Sequence, residues 1–236
     1  MHVVYNHEAG NRTTLFMNKN YYKNSPNNSI INDITNTILR RHDAITFHTS
    51  LSDYEPTPLL HLPQLAKKHN VGNIYVKDES HRFGLNAFKV LGASYAINQC
   101  LEKNPAIETF CTATDGNHGR AVAWTARALK KKAIIFVPKE TTAKRIETIA
   151  SEGAKVIQVN GNYDDACMQA ENMSTTNKWT LIQDTAWEGY EEIPALIMAG
   201  YLTLFKELEN KLHTPIKPKI DIVFLQAGVG SMASAG

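Results

Sequence analysis

Four short runs of this sequence combine residue types that can do chemistry, and the simplest of them is built on a lysine. Lys89 closes the run Gly84-Leu85-Asn86-Ala87-Phe88-Lys89 and falls in the first turn of an expected helix. The positive end of a helix dipole opposes a cation there, so the position favours the neutral amine. A neutral lysine amine is the nucleophile that condenses with an aldehyde to form a Schiff base. An ordinary surface lysine at a helix start has the same local pattern, so the run alone leaves both readings open.

The second run is Thr114-Asp115-Gly116-Asn117-His118-Gly119. Its glycines allow a tight turn with backbone close to a ligand. The Asn117 amide can hydrogen-bond a phenolate-like oxygen, and Asp115 can act as a general base or orient an amine. His118 can bond locally or take part in catalysis. The third run, Gln226-Ala227-Gly228-Val229-Gly230-Ser231-Met232-Ala233, follows an apolar strand and opens into a helix. Closely spaced glycines there turn backbone N–H groups toward a phosphate, and Ser231 adds a hydroxyl donor. The pattern Gly228-x-Gly230-x-x-Ala233 also matches the dinucleotide fingerprint, which makes an NAD(P)-dependent oxidoreductase the rival reading. The fourth run covers 183–194 and is acidic and aromatic. Asp184 in it is placed to meet an ammonium group, while its acids equally suit the start of the next helix.

The elements around these runs alternate. The pattern predicts a helix over 34–41 and an extended stretch at Tyr54-Glu55-Pro56-Thr57-Pro58-Leu59. A strand over 74–76 follows, then a helix over 87–101 with Asn86 as its N-cap. Strands are expected over 109–113, 133–137, 155–159, 180–183 and 221–225. Helices are expected over 121–129, 142–151 and 164–173, and from Pro194 to about 212. Alternation of this kind argues for an α/β protein with parallel strands joined by helical crossovers. In open α/β sheets ligands gather at the carboxyl ends of strands, where all four runs sit, the first through 77–89, which begins at a strand end.

Composition narrows the function classes. The chain has 236 residues, 43% hydrophobic and 20% charged, with a formal net charge of +2. That is globular rather than disordered, and too near neutral to suggest nucleic acid. No apolar run approaches the roughly 20 residues a membrane helix needs, and no signal-peptide pattern opens the chain. Cys100, Cys111 and Cys167 have no metal-ligand spacing, so no metal site is expected. Sparse, odd cysteines fit a reducing cytosol, and the expected location is cytoplasmic. The Asn-rich start, 1–30, is expected to be a poorly ordered arm.

Taken together and in order, the runs resemble the pyridoxal-phosphate enzymes of the tryptophan-synthase β-like fold, and within them the diaminopropionate ammonia-lyases. The matching residues include 54–59, Val76-Lys77-Asp78-Glu79-Ser80, 82–89, Thr114-Asp115-Gly116-Asn117-His118-Gly119-Arg120, Asn162-Tyr163-Asp164-Asp165, 183–194 and 226–230. Asp115 in its loop and the long 183–194 run separate this family from threonine and serine dehydratases.

The resemblance implies a two-domain α/β fold with parallel open sheets. Residues 31–99 would begin the large domain, 100–215 would form the small α/β domain, and 216–236 would begin the returning large-domain segment, whose remainder is missing. It implies pyridoxal 5'-phosphate held covalently by Lys89, with Phe88 beside the ring and Asn117 on the 3' oxygen. Gly228, Val229, Gly230, Ser231 and Met232 would cradle the phosphate. Lys89, Asp115 and Asp184 would be the catalytic groups, with the two aspartates handling the amino groups of a small diamino acid. The reaction implied is α,β-elimination of 2,3-diaminopropionate to pyruvate and ammonia, by a homodimer in the full-length family, with no nucleic-acid or membrane partner. Family members are longer, so the expectation is a C-terminally truncated chain that binds cofactor weakly and turns over little. A non-catalytic remnant needing a partner fragment is a further alternative. The last strand is expected to show an uncovered apolar face.

Overall fold

A computed structural model of the chain describes residues 2–6, 38, 43–212 and 220–235. In chain order it forms β1 (His2–Asn6), α1 (Ala44–Thr49), β2 (Leu59–His61), α2 (Pro63–Lys68), β3 (Asn73–Lys77), a 3-10 turn (Glu79–Gly84), α3 (Lys89–Lys103) and β4 (Thr109–Ala113). There follow α4 (Asn117–Ala128), β5 (Lys132–Pro138), α5 (Ala143–Ala150), β6 (Lys155–Val159), α6 (Tyr163–Asn177), β7 (Thr180–Leu181), α7 (Glu192–Leu212), β8 (Ile222–Phe224) and α8 (Ser231–Ala235). Of the helix expected over 34–41, only Ile38, helical and buried, lies among the described residues. The rest of that helix, and 7–30 of the expected arm, lie outside them.

The strands make two sheets. One has the order β6-β5-β4-β7, and every pairing in it is parallel. Helices α4, α5 and α6 are its crossovers, as the alternation predicts. The other has the order β2-β3-β1-β8, and every described pairing in it is antiparallel. The expectation of parallel strands therefore holds for the first and not for the second. Two pairings make the difference: β2 folds back on β3, and residues 2–6, assigned to the arm by composition, pair between β3 and β8. β8 is an edge strand, and Ile222, Val223 and Phe224 are exposed along it.

The main core is centred on α3 and α7. Val90, Leu91, Ala93, Tyr95, Ala96 and Ile97 of α3 are buried, facing Ile197, Tyr201 and Leu204 of α7. The two helices cross glycine on glycine: a Cβ on Gly200 would stand 2.4 Å from the Leu91 carbonyl oxygen and 2.8 Å from Gly92 Cα. Beside the crossing, His48 of α1 is buried, with Nε2 donating to Leu91 O at 3.0 Å and Nδ1 2.7 Å from Thr203 Oγ1.

A buried ionic cluster ties the segment before Lys89 to α7. Lys77 and Arg82 face Glu79 and Glu207, with Lys77 Nζ 2.6 Å from Glu207 and the Arg82 guanidinium 2.7–2.8 Å from it. Arg82 also reaches Glu79 at 2.8 and 2.9 Å, and Tyr54 donates to Glu207 at 2.7 Å. Two cations meet two anions, and Thr57 supplies further hydrogen bonds to Glu79 and Lys77, which is how charge survives burial. The cluster fixes the 3-10 turn from which the lysine loop departs.

Candidate active site

Each strand of the parallel sheet delivers side chains at its carboxyl end to one cavity of about 700 Å³. After β4 come Thr114, Asp115, Asn117 and His118; after β5, Glu140 and Thr141; after β6, Asn162 and Tyr163; after β7, Asp184. Lys89 closes the cavity from α3, and Gly228 and Val229 from the loop after β8. This is the position at which open α/β sheets bind ligands.

Lys89 is the first residue of α3. The expected N-cap does not form: Phe88 occupies the cap position without a side-chain bond, and Asn86 instead adopts φ +59°. Together with Phe83 (φ +47°) and Gly84 (φ +69°) it turns the chain before the helix, a use that asparagine tolerates better than most residues. The Lys89 amine lies 2.5 Å from Asp184 Oδ2 and beside the rings of Phe88 and Tyr201, 5.5 and 5.9 Å from their centroids.

Asp184 is almost fully buried and is set by its neighbours. Gln183 accepts from Thr112 Oγ1 at 2.8 Å and from Ala113 N at 3.0 Å, and donates to Tyr163 OH at 2.9 Å. These side-chain bonds replace backbone pairing, so β7 ends two residues earlier than the pattern predicts and Asp184 turns into the cavity. Tyr190 accepts from Gln183 N and donates to Leu181 O, and its ring stacks on Trp187 at 4.2 Å. Burial pushes the Asp184 carboxyl up, but a proton on His118, the charge of Lys89 and the Lys89 hydrogen bond each pull it down, and it stays below the usual carboxylate range. Burial lowers the His118 imidazole, which is therefore neutral near pH 7. The amine that faces Asp184 is that of Lys89.

The remaining sequence candidates separate. Asn117 lines the cavity, as do Gly228 and Val229. Asp115 stands at the mouth, 73% exposed and 3.8 Å from Arg145, which also donates to its carbonyl. Ser231 Oγ donates to Asp184 O at 2.5 Å, so its hydroxyl anchors the glycine loop to the end of β7. Met232 is buried in the core beneath. Phe88 packs edge-on to Tyr201 and lines a second cavity of about 390 Å³ that shares Asn117 with the first. The sequence reading assigned no site role to Thr141, nor to Tyr163, which enters only among the residues of the resemblance; both follow strands of the parallel sheet, β5 and β6, where the carboxyl-end rule points. The strand before Gly228-x-Gly230-x-x-Ala233, β8, pairs antiparallel with β1 among the described residues, whereas a dinucleotide fingerprint departs from a strand of a parallel sheet.

No cluster of metal-ligating side chains occurs among the described residues, and no helix among them is long and apolar enough to cross a membrane.

A family model described as pyridoxal-phosphate dependent enzyme matches residues 51–236. The chain is 44% identical over 215 residues to a diaminopropionate ammonia-lyase of Salmonella typhimurium, covering 82% of this chain and 53% of that protein. It is similar to the crystal structure of the Escherichia coli diaminopropionate ammonia lyase in complex with an aminoacrylate-PLP azomethine reaction intermediate. That match has a TM-score of 0.75 and 39% identity, over 86% of this chain and 55% of the other. The same E. coli enzyme in complex with D-serine gives 0.76 and 40%, over 84% and 55%. The chain spans about half the length of the curated relatives it matches.

Proposed function

The chain belongs to the family of pyridoxal-phosphate dependent enzymes, and from that premise we propose that it carries the lysine side of a lyase acting on 2,3-diaminopropionate. The products would be pyruvate and two molecules of ammonia. The observation that supports this most is the meeting of the Lys89 amine with the buried Asp184 carboxylate at 2.5 Å, inside the cavity at the carboxyl ends of four parallel strands.

The residues present fit the cofactor. Four buried polar atoms lack a hydrogen-bond partner among the described residues: His118 Nδ1, Thr141 Oγ1, Thr185 Oγ1 and Tyr201 OH. Two of them line the cavity, a third follows Asp184, and Tyr201 stacks near Lys89. Buried orphans gathered round one cavity suit a polar ligand. A Cβ on Gly228 or Gly230 would meet nothing within 4 Å, so the loop leaves open space on the side where a phosphate would approach.

When bound, pyridoxal phosphate supplies an electron sink for the charge that develops on the substrate's α-carbon. Lys89 would hold it covalently and, once released, move the proton at that carbon. Asn117 would bond its 3' oxygen, Phe88 would pack beside its ring, and the N–H groups of Gly228, Val229 and Gly230 would hold its phosphate. Ser231 and Met232 hold that loop from beneath. Asp184 would keep an ammonium of the substrate, and Asp115 at the mouth is the second base. Elimination sends the α-proton to a base and the β-nitrogen, with its bonding pair, away as ammonia. The three-carbon enamine then takes up water to give pyruvate and a second ammonia.

Residues 31–99 and 216–236 are assigned to one domain and 100–215 to the other. Strands drawn from 59–77 and 222–224, against 109–181, support that division. The free thiols of Cys100, Cys111 and Cys167 suit a reducing cytosol, and a homodimer is proposed on the resemblance alone.

The test is borohydride reduction of the chain incubated with pyridoxal phosphate, read by peptide mass spectrometry, alongside pyruvate release from 2,3-diaminopropionate. The expected adduct is on Lys89 and is lost in Lys89→Ala. An adduct on other lysines alone would overturn the cofactor assignment. Pyruvate from serine but not from the diamino acid would overturn the substrate.

A further inference from the structure

His118 has no role in the reading above, yet it is buried in the wall of the cavity, and its ring leaves one nitrogen unused. Nε2 lies 2.7 Å from the carbonyl oxygen of Ile182. A carbonyl only accepts, so Nε2 carries the proton. The neutral ring then presents Nδ1 as a bare lone pair, and Nδ1 has no hydrogen-bond partner among the described residues. It faces Asp184 Oδ2 at 3.8 Å. Two acceptors, one of them anionic, stand side by side in a buried place, and each needs a donor. The donor seen at Asp184 is a primary ammonium, that of Lys89 at 2.5 Å. Once Lys89 is bonded elsewhere, both acceptors in the cavity wall are left to find another donor.

We propose that His118 Nδ1 and Asp184 together form a receptor for a primary ammonium group, and that in the lyase it receives the β-ammonium of the diamino acid. His118 is in this view a specificity residue. The carboxylate supplies the charge, and the imidazole supplies a second, directed acceptor that a hydroxyl fills less well than an N–H-rich cation. The receptor is argued from the geometry alone, while its assignment to the substrate rests on the proposed function. Lys89 in the free chain is then the stand-in for the substrate's own amine. Its departure on binding cofactor empties the receptor when the substrate must enter.

Two measurements test this. The first uses Lys89→Ala, which removes the resident ammonium, and methylammonium chloride as probe, with nitrogen NMR of the His118 ring as readout. The expected result is a saturable shift of Nδ1 with methylammonium and none with tetramethylammonium, which has no N–H. His118→Gln in the same background keeps a donor for Ile182 at the Nε2 position but loses the acceptor. His118→Asn keeps the acceptor at the Nδ1 position. Methylammonium binding by both, read from the Asp184 carboxylate carbon, should be lost in the first and retained in the second. No saturable shift in Lys89→Ala, or an equal one with tetramethylammonium, overturns the receptor whatever the two variants do.

The second measurement compares two stable conjugates on Lys89→Ala: phosphopyridoxyl-diaminopropionate and phosphopyridoxyl-serine, which differ only in the β-amine and β-hydroxyl. The diamino conjugate should bind about tenfold tighter, as a charge-assisted bond exceeds a neutral one. His118→Gln should erase that preference and His118→Asn should keep it. Equal binding in the Lys89→Ala chain overturns the assignment to the substrate. If neither conjugate binds, the cofactor reading falls, and the methylammonium result still decides the receptor.

Discussion

The glycine crossing of α3 and α7 sets where Lys89 stands, and Gly200→Ala tests it. The new methyl carbon would lie 2.4 Å from the Leu91 carbonyl oxygen, about 1 Å short of ordinary contact, and 2.8 Å from Gly92 Cα. Both are backbone atoms, so no side chain can swing aside and the helices must separate. Overpacking of this kind costs about 1–3 kcal/mol. The upper end applies, because Leu91 O also accepts from His48 at 3.0 Å and would be pushed off that bond. Replacing glycine inside a helix returns about 1 kcal/mol. The net expectation is a loss of about 2 kcal/mol, or a fall in melting temperature of roughly 4–8 °C for a domain of this size. Thermal unfolding by circular dichroism measures it. Gly228→Ala is the control, because its methyl meets nothing within 4 Å and melting should stay put. A Gly200→Ala protein that melts within 1 °C of the parent would refute the claim that the two backbones touch.

Two further outcomes follow from the buried charges. Glu207→Ala leaves Lys77 and Arg82 with Glu79 alone, an uncompensated buried cation, and should cost about 3–5 kcal/mol in urea unfolding; a loss under 1 kcal/mol would mean that water reaches the cluster. Burial, opposed by the Leu91 hydrogen bond, lowers His48 from 6.5 to about 3. The unfolded chain takes a proton there below about pH 6.5 and the folded chain only below about 3, so between these values the unfolded state binds more protons and stability rises with pH. Unfolding free energies from urea titrations should therefore fall as pH is lowered from about 6.5, by up to about 1.4 kcal/mol per unit. His48→Gln, with a neutral donor for Leu91, should flatten that slope, and an unchanged slope would assign it to the carboxylates instead.

How far the sequence carried the reading depends on whether a signal is local. Lys89, Asn117 and the glycines at 228 and 230 were legible because each is a loop motif at the end of one element. The parallel sheet was legible because β4, β5 and β6 are apolar runs set between helices. The antiparallel sheet was not, since β1, one of its two inner strands, comes from a start whose composition says nothing of pairing, and its partners in β3, about 70 residues away, leave no local mark. Glu207 is intermediate. In the string Lys206-Glu207-Leu208-Glu209 it looks like any solvated acid. Helical periodicity, however, puts it on the stripe of Ile197, Gly200 and Leu204, and the structure buries it there. An acid on an apolar stripe must find cations, and Lys77 and Arg82 lie in the segment just before the lysine loop. His118 follows the same logic: it shares a helix face with Ala121, Val122 and Thr125, all buried. The useful signal in such residues is the conflict between a polar type and an apolar position. At Glu207 the fold resolves that conflict internally, with every oxygen bonded. At His118 it is left unresolved, on a buried nitrogen that faces Asp184 in the cavity wall. That difference separates a polar group that holds the scaffold from one that we propose awaits a ligand.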